Sequence, residues 1–382
     1  MRYFLIAGEA SGDLHGSNLV KGLRAEDPEA QCRCRGGDLM QEAGAELAFH
    51  YRDGAVMGLG DVLFKAGKIL KSMRDCKRDI LAWKPDVVIL IDYPGFNFKM
   101  AKWCHQRGIR VFWYIAPKTW ASREGRNRKL KAWVDRLYII FPFEIPYFTE
   151  KGIPFIYKGN PLVDAVDAHE FVRPVEGRYI AMLAGSRMGE IKRMMPVLMD
   201  TADRLAALPG WEGVRFVIAG APARSEADYL PFIGERKNVD LFFGRTYDVL
   251  RFADAAVINS GTASLEAVLI GTPQVVGWNT SPITAWVADK VLHVLEHVKF
   301  ISLGNLCLGR EAFRELLQYY LTPEAVSDEL RRLVEDAPYR ERMLADYAEI
   351  RRSLGGSGAS RAIARSMIEE IRKGVDFHPK KC

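Results

Sequence analysis

Short apolar runs recur along the chain, and each gives way to Gly, Asp, Pro or Ser before a longer stretch of helical periodicity begins. In the first half these runs predict strands at Tyr3–Ala7, Val87–Ile91, Val111–Ile115 and Leu137–Phe141. In the second half they predict strands at Tyr179–Leu183, Arg215–Ala219, Leu241–Phe243, Ala256–Ile258 and Gln274–Gly277. Strands alternating with helices predict an α/β fold with parallel sheets. The pattern also echoes itself. "RYFLIAGEASGDLHG" from Arg2 and "RYIAMLAGSRMGEI" from Arg178 each read Arg-Tyr, strand, Gly turn, helix. Two Rossmann-like, doubly wound units in tandem explain the echo, with their boundary near Asp164–Gly177; the alternative is one large mixed sheet. The expected domains are therefore residues 1–172 and 173–350, followed by a tail at 351–382. After residue 310 the strand pattern stops, and a closing helix over Ala359–Arg372 is expected to pack back across the junction.

Two segments carry amphipathic character beyond what a core needs. Leu59, Val62, Leu63, Ala66, Ile69, Leu70 and Met73 fall at helical spacing, with Lys65, Lys68 and Lys71 mostly off the stripe. Trp113–Trp133 interleaves Trp113, Trp120 and Trp133 with Lys118, Arg123, Arg126, Arg128, Lys129 and Lys131. Both segments read either as ordinary core and solvated faces or as a surface for anionic lipid. No recognised nucleic-acid module accompanies them, so nucleic acid is not an expected partner.

Composition narrows the picture without redirecting it. The 382 residues are 48% hydrophobic and 27% charged, with a formal net charge of +6. That is a globular chain long enough for two cores. No apolar run is long enough for a membrane-spanning helix, and Gly8 and Glu9 interrupt the N-terminal run too early for a signal peptide. The six scattered cysteines form no disulfide or zinc framework, and reducing cytoplasm is the expected compartment. "HVLEH" at His293–His297 matches an inverted zinc-protease pattern, but seven histidines in an α/β chain leave it better read as a helix face.

Ligands of doubly wound sheets sit beyond the carboxyl ends of the strands. "GEASGD" occupies such an edge. It is not G-x-G-x-x-G, and two carboxylates would repel a pyrophosphate, so Glu9 and Asp13 suit sugar hydroxyls or a proton transfer. Asp13 reads equally as the cap of the following helix. "VVILIDYPGFN" ends a buried strand on Asp92, a candidate base for a hydroxyl nucleophile or a loop brace. The second half holds the phosphate chemistry: "AGSRMGEI" offers Gly185, Ser186, Arg187 and Glu190 at a helix start. "NSGTASLEA" offers Ser260, Gly261 and Thr262, with Glu266 one turn on to accept ribose hydroxyls. Two helix N-termini and an arginine suit a diphosphate.

These motifs together resemble the lipid-A-disaccharide synthase family, glycosyltransferases of GT-B architecture with two Rossmann-like domains facing a central cleft. The likeness covers nearly the whole chain: "AGEASGD" at 7–13, "AVMGLGDVL" at 55–63, "IDYPGFN" at 91–97, "GSRMGEI" at 185–191, "SGTASLEA" at 260–267, "PQVVGW" at 273–278 and "SLGNLCLGRE" at 302–311. It implies transfer of 2,3-diacylglucosamine from its UDP-activated form to the 6-hydroxyl of 2,3-diacylglucosamine 1-phosphate. The products are a β-1′,6-linked disaccharide phosphate and UDP. It further implies inversion, no metal or other cofactor, and a cytoplasmic enzyme peripheral to the inner membrane.

Carried over by residue, Asp92 matches the essential aspartate, Arg187 the donor-phosphate arginine, Asn305 a donor-site asparagine and Glu266 the ribose acid. Asn97, Val62, Leu63, Ile69, Arg123 and Arg126 fall to the acceptor and membrane side, the two arginines as candidates for the acceptor's phosphate. Ala184 and Gly304 stand where relatives often have proline. Gly95 replaces a second acid that some members carry, which leaves Asp92 as the base. A UDP-N-acetylglucosamine 2-epimerase of the same architecture would share the second-half loops, and a non-catalytic membrane or nucleic-acid binder would share the charge. A homodimer is compatible with the helical C-terminal region.

Overall fold

The computed structural model describes residues 1–54, 62–120, 124–279 and 299–373, with backbone alone at 54 and 62–66. The chain forms two compact units, one of Met1–Ala165 together with Gly355–Cys382 and the other of Val166–Leu354. The divisions therefore fall at 165/166 and 354/355, where sequence suggested 172/173 and 350/351.

The first unit is a seven-stranded sheet in the order β3-β2-β1-β4-β5-β6-β7, built from β1 (Arg2–Ile6), β2 (Gln31–Gly36), β3 (Glu46–His50), β4 (Val87–Ile91), β5 (Val111–Tyr114), β6 (Arg136–Ile139) and β7 (Ile156–Tyr157). Every pairing is parallel. β4 is buried along its whole length, as a run of Val, Ile and Leu covered by helices on both faces must be. Helix Ala359–Arg372 returns to this unit and lies along helix Ala10–Glu26. Gly22 makes the close approach possible, because a Cβ there would lie 2.9 Å from the Ser360 carbonyl oxygen. Glu26 holds the pair together by accepting from Arg365 at 2.9 Å and from Arg361.

The second unit is a six-stranded, all-parallel sheet ordered β10-β9-β8-β11-β12-β13. Its strands are β8 (Tyr179–Leu183), β9 (Arg215–Gly220), β10 (Val239–Phe243), β11 (Ala255–Asn259), β12 (Gln274–Trp278) and β13 (Glu315–Leu317). Both orders step outward in each direction from the first strand of the unit, the Rossmann arrangement. The architecture is α/β with two Rossmann-like sheets, as the alternating pattern predicts.

One expectation fails. Strands do not stop at residue 310, because Glu315–Leu317 pairs with β12 at the sheet edge. The strand is short and begins on an acid, so it has no periodicity to read. Glu315 is placed there by its contacts: its carboxylate accepts from the backbone N–H groups of Ile301 (2.9 Å) and Ser302 (3.1 Å). The five described cysteines are all free thiols, four of them buried. Among the described residues no group of three His, Cys, Asp or Glu side chains could hold a metal ion, and no helix is long and apolar enough to cross a membrane. "HVLEH" lies outside the described residues.

Candidate active site

At the carboxyl end of β4 the backbone takes a conformation that L-residues rarely adopt. Asp92 and Tyr93 both have positive φ, 42° and 46°, in succession. Asn97, fully buried, pins the turn by donating from Nδ2 to the carbonyls of Asp92 (2.8 Å) and Ile91 (3.3 Å). The Asp92 N–H donates to the Tyr114 carbonyl on β5 at 3.1 Å. Backbone held in so sparse a region, and over-determined by its neighbours, is a mark of functional turns. Asn97 was expected on the acceptor side; its buried Nδ2 sets the Asp92 turn, while its Oδ1 is buried without a hydrogen-bond partner among the described residues.

Gly8, at the end of β1, lies under the Tyr93 ring, where a Cβ would be 2.3 Å from Cγ. Glu9 follows, exposed, and accepts from the Ser11 hydroxyl at 3.1 Å. The edge thus brings Glu9 beside the Asp92 turn. Asp13 is elsewhere. The helix starts at Ala10, so Asp13 lies within it rather than capping it. Its carboxylate accepts from the backbone N–H groups of Gly37 (2.8 Å), Leu39 (3.1 Å) and Met40 (3.1 Å), and so caps the next helix, Asp38–Glu42. Burial pushes its carboxyl up, against the pull of those three bonds. Both oxygens of Asp13 are thus engaged in bracing the Gly37–Met40 turn.

Sequence reasoning missed Glu144. It is buried, accepts from the N–H groups of Phe141 (3.2 Å) and Ile140 (3.3 Å), and is pushed up to about 8. Burial is the main cause; the Asp92 charge adds to it, and Lys118 opposes it. A lone acid within the aromatic run "FPFEIPYF" was the available signal. Arg126 lies over the Phe98 ring, 5.7 Å from its centroid, while Arg123 and the side chains of Val62 and Leu63 fall outside the described residues. Ile69 is 44% exposed and Leu70 60% exposed, whereas Met73 on the same helix is buried.

In the second unit β8 pairs with β11, and the two glycine loops therefore leave adjacent strand ends. Gly185 has φ +100°, and a Cβ there would lie 2.6 Å from both Asn259 Nδ2 and Glu190 Oε2. Glu190 Oε2 accepts from the N–H groups of Ser186 (2.9 Å) and Arg187 (3.2 Å), closing the start of helix Met188–Ala206. Its other oxygen accepts from Arg187 Nη1 at 3.1 Å, which holds the exposed guanidinium at the loop. Helix Thr262–Ile270 differs: its N-cap is Gly261, which has no side chain to satisfy the first N–H groups. Ser260 and Thr262 flank that end. Glu266 is buried, accepts from the Tyr247 hydroxyl at 3.2 Å and is pushed up to about 7 by burial. Asn305 is a correction. It is fully buried, donates to the Phe313 carbonyl (2.9 Å) and Glu315 (2.9 Å), and accepts from the Ala312 N–H (2.8 Å). An amide so fully satisfied braces the approach to β13 and has no hydrogen bond left for a donor sugar.

Two Rossmann-like sheets, a strained acidic turn in one and paired glycine loops in the other, set the frame for comparison. A family model described as lipid-A-disaccharide synthetase matches residues 3–365. The chain belongs to that family. A lipid-A-disaccharide synthase of Trichlorobacter lovleyi is 36% identical over 97% of this chain and 98% of its own. One of Myxococcus xanthus is 38% identical over 98% of each chain. As a member of the lipid-A-disaccharide synthetase family, the protein is a glycosyltransferase of lipid A biosynthesis. Solved structures extend the likeness of fold. A UDP-GlcNAc 2-epimerase from Neisseria meningitidis bound to UDP-GlcNAc aligns with a TM-score of 0.67 at 15% identity, covering 97% of this chain and 100% of its own. The glycotransferase of kitacinnamycin aligns with a TM-score of 0.62 at 18% identity, covering 97% and 98%. At such identities the structures establish the shared fold, which is the GT-B architecture of the glycosyltransferase family.

Proposed function

We propose that the protein transfers 2,3-diacylglucosamine from its UDP-activated form to the 6-hydroxyl of 2,3-diacylglucosamine 1-phosphate, with inversion, releasing UDP. The observation that carries the reading is the turn at Asp92 and Tyr93, where two successive left-handed residues present a half-buried carboxylate at a sheet edge. Asp92 takes the proton of the acceptor hydroxyl as its oxygen attacks the anomeric carbon from the face opposite UDP. The second unit stabilises the leaving diphosphate. Arg187 supplies charge, and the uncapped start of helix Thr262–Ile270 supplies N–H groups from Gly261 and Thr262. Glu266, protonated or ionised near neutral pH, receives the uridine ribose.

Ile69 and Leu70 stand exposed beside Lys68 and Lys71, an apolar strip flanked by cations that supports contact with the inner-membrane surface. The test is incubation of the full chain with both acylated sugars and EDTA. UDP release with formation of the disaccharide phosphate is expected, and Asp92→Asn should slow it by about 10²–10⁴-fold. Epimerisation of UDP-N-acetylglucosamine without sugar transfer would overturn the reading. Liposome binding lost on replacing Ile69 and Leu70 by Ser tests the membrane contact, and unchanged binding removes it.

A further inference from the structure

Among the described residues Arg35 is a buried cation with no carboxylate partner. It sits near the end of β2, 5% exposed, and a guanidinium stays charged at any physiological pH. Among the described residues it donates to Ser72 Oγ at 2.7 Å and lies over the Phe49 ring, 4.0 Å from its centroid, and pairs with no carboxylate. Its neighbour Arg33 shows what the same helix offers elsewhere. Arg33 forms ion pairs with Asp79 (2.8 Å) and with Glu46. Ser72 lies two turns before Asp79 on helix Val62–Trp83, so at the level of Arg35 this helix presents a hydroxyl where it presents an acid to Arg33. A buried charge is normally paired, and most of the five N–H donors of Arg35 are left for something else.

Arg35 lines a cavity of about 380 Å³ at the carboxyl ends of β1, β2, β3 and β4, the edge where α/β sheets bind ligands. One wall is apolar, with Phe49, Tyr93, Phe96 and Ile69. The exposed Lys68 and Lys71 also border it. Two carboxylates are present, Asp53 and Asp75, but Asp75 is engaged by Arg78 at 3.1 Å. Cations on one side and aromatic rings on the other fit an amphiphile with an anionic head. Tyr93 places the cavity next to the Asp92 turn.

We propose that this cavity receives the phosphate of the acceptor. A phosphomonoester accepts from Arg35, Lys68 and Lys71 add charge around it, and an acyl chain lies along Phe49, Tyr93 and Phe96. This rests on the transferase reading and moves phosphate recognition from Arg123 and Arg126 to β2. Phosphate held by a guanidinium fork selects phosphorylated over unphosphorylated sugar.

The test measures binding without donor, then turnover. Full-length protein is titrated with 2,3-diacylglucosamine 1-phosphate, with its dephosphorylated counterpart and with inorganic phosphate, in neutral detergent micelles. The wild type is expected to prefer the phosphorylated lipid by about tenfold to a hundredfold, the range of a charge-assisted hydrogen bond. Inorganic phosphate should bind far more weakly than the lipid; equal binding would overturn the acyl half of the proposal. Arg35→Gln should erase the preference, and Arg35→Lys should keep part of it. The exposed pair Lys68→Gln and Lys71→Gln should reduce it severalfold, which decides the matter if Arg35→Gln fails to fold. A preference unchanged in these variants, or absent from the wild type, overturns the site. UDP release with an Arg35-independent preference sinks the site and spares the transferase. An Arg35-dependent preference without UDP release does the reverse.

Discussion

Gly8 and Tyr93 are packed so closely that a side chain on the first would collide with the ring of the second, its Cβ lying 2.3 Å from Cγ and 2.5 Å from both Cδ atoms. The end of β1 therefore holds the turn after β4 in place, and the glycine of the "GEASGD" edge serves the aspartate of "IDYPGFN".

Gly8→Ala should displace the Tyr93 ring and disturb the Asp92 turn. A loss of about 1–3 kcal/mol of stability is expected, as for overpacking at a buried contact, with a fall in turnover. Tyr93→Gly removes the ring and suits the positive φ of 46°. Combined with Gly8→Ala it should restore the melting temperature, so a double-mutant cycle would show strong favourable coupling. Additive losses would mean that the two residues do not act through one contact.

Asp92 and Asn97 share a turn but not a job, and their variants should separate. Asp92→Asn should cut kcat by about 10²–10⁴-fold, the size of a general-base contribution, at an unchanged melting temperature. Asn97→Ala removes the donor to two carbonyls and should cost about 1–3 kcal/mol of stability as well as activity. Steady-state kinetics beside thermal melts checks both.

Glu144 gives a signed pH prediction. Its carboxyl is pushed from the ordinary 4.5 up to about 8 by burial, so between those values the folded chain holds a proton that the unfolded chain has released. Stability then falls as pH rises through that window. Glu144→Gln keeps an acceptor for the N–H groups of Ile140 and Phe141 but cannot ionise. Its melting temperature should fall less than that of the wild type between pH 5 and 8, with a difference in stability of up to a few kcal/mol. Parallel curves would show that Glu144 ionises normally.

Glu190 occupies the N–H groups of Ser186 and Arg187, which an incoming phosphate would also seek. Glu190→Ala should lower the melting temperature of the free protein by the equivalent of about 0.5–2 kcal/mol, as loss of a cap does. UDP should then raise the melting temperature of this variant more than that of the wild type, because nothing competes for the helix start. A smaller rise would mean that holding Arg187 matters more than clearing the N–H groups.

Much of the fold was legible because the buried strands β4, β8 and β11 are continuous apolar runs with glycine or acid at their ends. β3 and β13 were not: both lie at sheet edges and are mixed in polarity, and β13 is only three residues long. Sequence also picked out residues whose importance it could see but whose work it could not. Asn97, Asn305 and Asp13 stand in the right motifs, yet Asp13 spends both oxygens on backbone N–H groups, Asn97 its Nδ2 on two backbone carbonyls, and Asn305 its amide on backbone groups and Glu315. The partners of Asp13 come from a turn far along the chain, at Gly37 to Met40, and no spacing rule links them. Arg35 was hidden for the opposite reason: nothing in the sequence separates it from Arg33, and only packing shows that among the described residues Arg33 meets acids and Arg35 a hydroxyl.

Asp13 offers the sharpest contrast with Asp92, because both are carboxylates of the same sheet edge. The three N–H groups that point at Asp13 accept no substitute donor, so Asp13→Asn would turn an amide NH₂ toward at least one of them. Gly37 leaves no room to move: a Cβ there would lie 2.5 Å from Asp13 Oδ2 and 2.4 Å from Tyr51 Cε1. The substitution should therefore cost about 2–3 kcal/mol, the value of charge-assisted bonds lost plus a donor left unsatisfied. Turnover per folded molecule should change little, whereas Asp92→Asn leaves a folded, inactive protein. Measuring active fraction by UDP-induced thermal shift, and kcat on that fraction, distinguishes the two. If Asp13→Asn instead melts like the wild type and loses turnover, then Asp13 moves protons and the bracing role fails.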